Sequence, residues 1–133
     1  MTPDERPGSP SPERLAVPVQ RFDLAAVAAQ LRADAPASVA GHRQLALVRR
    51  GPLSVILFAF DADGVIKEHS AAGEVTIQVL TGRLEVMVDG EVLSLGGGEL
   101  VALAPRQLHT VRATESSDML LTICRTPAAP TSA

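Results

Sequence analysis

The chain has 133 residues, 46% of them apolar and 20% charged, and a formal net charge of −3. That length suits one domain, able to bury roughly two-thirds of its unfolded surface, enough for a core without disulfide staples. With no broad basic field and neither Trp nor Tyr, nucleic-acid partners are not expected.

The first residues, MTPDERPGSPSPER, place charges and prolines where a signal peptide needs an apolar run. No uninterrupted apolar stretch of the chain approaches membrane-span length. A cytoplasmic protein without membrane contact is therefore the expectation. Residues 1–20 are rich in Pro, Ser and charge and read as a disordered tail. Next comes FDLAAVAAQLRAD, where Asp23 can cap a helix over about 23–34. Leu24, Val27, Ala28 and Leu31 then form a narrow apolar stripe, suited to lying on a sheet. Pro36 and Gly41 close that segment, and His42 reads as a surface or loop histidine.

From Gln44 onward, short runs rich in Val, Ile and Leu alternate with turn signals. The runs are QLALVRR, LSVILFAF, EVTIQVL, RLEVMV, EVLSL, ELVALA, HTVRA and DMLLTIC. Asp89-Gly90, between VMV and EVL, is a strong two-residue hairpin signal. Many short strands without intervening helices predict an all-β sandwich or closed barrel over residues 21–125. The lone cysteine, Cys124, excludes an intramolecular disulfide and reads as a small buried hydrophobe on the last strand. Residues 126–133 read as a second disordered tail.

The text GVIKEHSAAGEVTIQVLTG, starting at Gly64, and GELVALAPRQLHTVRA, starting at Gly98, resemble the two motifs of the cupin superfamily. In the first motif His69 matches a motif histidine, Ala71 stands where a second histidine belongs, and Val75 occupies the glutamate position beside Glu74. In the second, Gly98 and His109 are in place, while Ala104, Arg106 and Ala113 replace a proline, a glycine and an asparagine. The resemblance implies a double-stranded β-helix, or jelly-roll barrel, to which the helix read over about 23–34 adds one short amino-terminal element.

Metal-binding cupins hold one divalent ion with three histidines and a glutamate drawn from these two motifs. The resemblance therefore makes His69, His109 and Glu74 the candidate ligands of one weakly held Fe, Mn, Ni, Zn or Cu ion. If His69 and Val75 face inward, the two-residue period also turns Ile77 and Val79 inward, and Val111 follows His109. These residues would line a mostly apolar small-molecule pocket. Three readings stay open: a module binding a largely apolar organic molecule through His69 and His109, a metal-dependent dioxygenase or isomerase, and an interaction domain without a ligand. Finally, LSVILFAF is apolar on both faces. The narrow helix stripe looks too small to cover the outer one, so a homodimer is expected.

Overall fold

Asp23 opens the helix as the spacing predicts. In the computed structural model, which describes residues 18–125, its carboxylate accepts from the Ala26 amide at 3.2 Å, and α1 runs over Leu24–Asp34. Ala35 turns to extended geometry, as the residue before a proline prefers. Nine strands follow: β1 (His42–Arg50), β2 (Leu53–Phe60), β3 (Val65–His69), β4 (Gly73–Thr81), β5 (Arg83–Val88), β6 (Glu91–Gly96), β7 (Leu100–Leu103), β8 (His109–Ala113) and β9 (Ser117–Arg125). They pair in two antiparallel sheets, β1-β2-β9-β4-β7 and β3-β8-β5-β6, which no ladder joins among the described residues. The architecture is the expected all-β jelly roll, built as two facing sheets. The expected tails fall outside the described residues, apart from Pro18 to Gln20; there the Pro18 carbonyl accepts from Arg50 at 3.1 Å.

The Asp89-Gly90 hairpin forms as read, with φ of 52° and 77° at its two central residues and Val88 opposite Glu91. Two details depart from the sequence reading. The VIKEH segment is a strand of its own, β3. Its Lys67 and Glu68 are exposed and its pairing with β8 is irregular after Ile66, so it carries too little alternation to be read from sequence. The first strand also begins at His42 rather than Gln44. A Cβ on Gly64 would lie 2.2 Å from the Gly41 carbonyl oxygen. This close approach sets the start of β1 against the start of β3, where Val65 donates to the Ala40 carbonyl at 2.8 Å.

The inner faces meet in one core. Phe58 and Phe60 from β2, Val75, Ile77 and Val79 from β4, Leu84 and Val86 from β5, Val111 from β8 and Met119 from β9 all pack there. The other face of β2 lies under α1: Leu57 is 0% exposed and Leu47 1%, packed with Ala28. Thus the second half of a run apolar on both faces is covered on both within one chain, while Leu53 and Val55 stay half-buried. Leu45, Val48, Val55, Leu80 and Leu120 remain half-buried around that contact. Arg32 fixes the helix there. It pairs with Asp118 and donates to the carbonyls of Phe60 at 3.1 Å and Ser117 at 3.0 Å. Cys124 corrects the sequence reading. It lies on β9 but is exposed, because Ile123 takes the inward position and the strand end lies beyond the cover of the helix. Among the described residues no helix is long and apolar enough to cross a membrane.

Candidate functional site

At one end the two sheets part around a cavity of about 390 Å³. Two cross-strand neighbours, His69 on β3 and His109 on β8, stand directly opposite each other in the ladder. Their side chains therefore share a face, with ring centroids 4.1 Å apart and planes inclined at 58°. His109 is 2% exposed, whereas His69 is half-buried.

Each ring is held by its own strand. His69 Nδ1 donates to the Lys67 carbonyl at 2.8 Å and His109 Nδ1 to the Gln107 carbonyl at 3.0 Å. A carbonyl oxygen can only accept, so both rings carry a proton on Nδ1. When neutral, each therefore presents Nε2 as an acceptor. The Nε2 of His109 is buried and meets no hydrogen-bond partner in the structure. Burial pushes the His109 pKa below its usual 6.5; the bond to Gln107 opposes this and the neighbouring His69 adds to it.

The loop before His109 keeps the expected turn without the expected residue. Arg106, at the glycine position of the motif, has φ of 62°, in the left-handed region that glycine occupies most easily. Its amide donates to the Ala71 carbonyl at 2.7 Å, tying the two motif segments together.

The remaining expected residues divide. Val75 lines the cavity beside Ala71. Ile77, Val79 and Val111 face the same interior but lie deeper, 0–1% exposed within the closed core, and do not line the opening. Glu74 is not brought to the histidines. It is exposed, and as the neighbour of inward Val75 it occupies the outer face of β4, as strand alternation requires.

Three lining residues escaped the sequence reading. His42 is not a free loop histidine. It sits on β1, opposite Phe60 in the ladder, with its ring 5.4 Å from that of Phe58 and 5.5 Å from that of Phe60. Its Nδ1 donates to the Val65 carbonyl at 3.1 Å, and burial lowers its pKa, opposed by that bond. Gln44 follows two residues later on the same face, opposite Phe58. Arg125, two residues beyond inward Ile123, closes the cavity on β9. Carrying the two-residue period past the ends of the apolar runs would have found Arg125 and His42. The lining stays mostly apolar, with His42, Gln44 and Arg125 adding polar groups to the two histidines expected.

A metal held by this fold would need at least three protein donors. His69 and His109 have the ring orientation of ligating imidazoles, with Nδ1 anchored on a carbonyl. Yet Ala71 and Val75 present hydrocarbon, and although His42 lines the same cavity, no three His, Cys, Asp or Glu side chains among the described residues are grouped so that they could hold an ion. The donor set does not fit a resident metal.

Residues 56–124, just over half of the chain, match the family model described as a cupin domain. A search of curated proteins finds no match. Among solved structures, the fold is similar to a conserved protein of unknown function from Streptococcus pyogenes, at 22% identity over 86% of this chain and 94% of that one, TM-score 0.66. It is also similar to a cupin superfamily protein from Desulfitobacterium hafniense, at 17% identity over 72% and 88%, TM-score 0.64. KdgF from Halomonas sp. aligns at 24% identity over 65% and 81%, TM-score 0.58.

Proposed function

Since the chain belongs to the cupin family, we propose that it binds a small organic molecule in the cavity between its sheets, with His69 and His109 orienting it. One observation carries this reading: the Nε2 of His109 is buried without a partner. Leaving such a group unsatisfied costs on the order of 1–3 kcal/mol, and a ligand donor reaching it removes that cost. The apolar walls of Phe58, Ile66, Val75 and Leu121 would take the body of the molecule. The cavity also argues against an interaction domain without a ligand.

The tautomers of His69 and His109 favour a second reading, a metal-dependent dioxygenase or isomerase, but that reading lacks a third donor. Native mass spectrometry of the full-length protein, with metal analysis, tests both. The expected result is a non-covalent organic adduct with substoichiometric metal. One tightly bound ion per chain would put the enzyme reading first. A bare chain that no member of a metabolite library stabilises against heating would sink the binding reading.

Self-association into a homodimer belongs to the same proposal, through the half-buried fringe around α1. A sedimenting monomer at low micromolar concentration would refute it.

A further inference from the structure

Among the described residues no aspartate or glutamate lines the cavity, and its one strong cation is Arg125. Among the described residues the ion pairs engage Arg32, Arg43 and Arg112, and Arg125 has no acidic partner. Its Nη1 donates instead to Ser54 Oγ at 2.7 Å, and Ser54 is itself 3% exposed. Ser54 faces Ile123 in the ladder, so this bond moors the guanidinium on the five-stranded sheet. Of the five N–H groups of an arginine, it occupies one.

The facing sheet offers the opposite character. His69 and His109 have given their Nδ1 protons to carbonyls, and burial keeps His109 on the neutral side at neutral pH. Its Nε2 therefore asks for a donor, not for an anion. A ligand spanning the two sheets must bring an anionic group to one and a hydroxyl-like donor to the other.

We propose that the occupant is a small hydroxy acid whose carboxylate pairs with Arg125 and whose hydroxyl donates to Nε2 of His109. A guanidinium takes a carboxylate through two parallel N–H bonds. The cavity brings a single unpaired cation, which matches a monoanion; a phosphate dianion would keep one charge uncompensated in a partly apolar space. This assignment rests on the small-molecule reading above and supplies the chemistry of its ligand.

The test uses the full-length chain at neutral pH and three matched probes: mandelate, phenylacetate, which lacks the hydroxyl, and mandelamide, which lacks the charge. Inorganic phosphate is the fourth. Binding is measured by calorimetry, and the ¹⁵N resonance of His109 Nε2 reports the site. Mandelate should bind about tenfold tighter than phenylacetate or mandelamide, the size of one hydrogen bond to a charged or buried group, and should shift the His109 signal. Arg125→Gln, at the exposed rim, should erase the preference for mandelate over mandelamide. Ser54→Ala should reduce it, because the guanidinium loses its mooring.

Equal binding of mandelamide would overturn the anion assignment while leaving the small-molecule reading intact. Equal binding of phenylacetate would overturn the hydroxyl contact. Phosphate binding as tightly as mandelate would show a simple oxyanion site and overturn the organic acid. Silence from all four probes would overturn the assignment. If the metabolite library also stabilised nothing, the small-molecule reading would fall with it.

Discussion

The two ends of the interior are built from the same strands and differ in almost everything else. β8 begins with His109 and ends with Ala113, both facing inward. β4 runs from Val75 at the cavity to Val79 at 0% exposure, and β9 from Met119 in the core to Arg125 at the opening. At the closed end Ile77, Leu84, Val86 and Met119 fill the space between the sheets. At the open end His42, Gln44, His69, His109 and Arg125 stand on the same inward positions. Strand alternation is blind to this difference: it sets which side chains face in, while residue type decides whether that space is packed or left for a ligand. Stability should accordingly reside at one end and recognition at the other.

The sharpest break of that comparison is a truncation at the closed end. Ile77→Ala removes three carbons from a fully buried site and should cost about 2–5 kcal/mol, through lost transfer energy and the cavity left behind. Val75→Ala, beside an existing opening, should cost clearly less. Urea unfolding of the two variants measures the difference. Equal losses would mean that the open end is packed as tightly as the closed one.

A second substitution sharpens the contrast at the open end. Ala71 and Val75 line the cavity with both histidines, so Ala71→His with Val75→Glu places two further donors in the same space. Zinc affinity measured by calorimetry should rise about a hundredfold, near 2.7 kcal/mol, as two ligands become four. If the unsubstituted chain already binds zinc as tightly, the donor set has been misjudged.

Much of the fold was legible because turn chemistry and period-two patterning are local. Asp23, Asp89-Gly90 and the inward positions of Val75, Ile77 and Val79 all follow from neighbours within a few residues. The facing of His69 and His109 was legible too, through the motif resemblance. What escaped lay at strand ends beyond the apolar runs, where the two-residue period continues but contacts distant in sequence decide which face is inward. His42 looked isolated because the Gly41–Gly64 approach that sets β1 against β3 has no local signature. Arg125 lay one position beyond the last apolar run and so looked like a terminus. Cys124 reads as buried from its residue type and its place on an apolar strand, yet the helix cover does not extend to that end. Glu74 is a candidate ligand only by its place beside the glutamate position of the motif. The strand pairs regularly from Gly73, opposite Arg125, through Val79, and alternation turns the carboxylate outward.

The smallest effect concerns pH, and it too separates the two ends. Among the described residues, the packed interior at the closed end is hydrocarbon apart from Ser117 and holds no imidazole. At the open end, burial lowers the pKa of His42 and of His109 from 6.5, each opposed by a backbone hydrogen bond. The unfolded chain therefore takes up protons at a higher pH than the folded one. Stability rises with pH wherever the unfolded state holds more protons. The contribution of these rings is thus complete above 6.5 and is lost as pH falls through their folded values. Urea unfolding followed from about pH 7.5 to about pH 5, the range in which imidazoles charge, should show a falling free energy. His109→Gln and His42→Gln should each flatten that fall, since glutamine has no proton to gain. Stability that held steady or rose on acidification would mean that the folded state offers the imidazolium a carboxylate partner, and the acid-free lining of the cavity would then be the wrong description of its electrostatics.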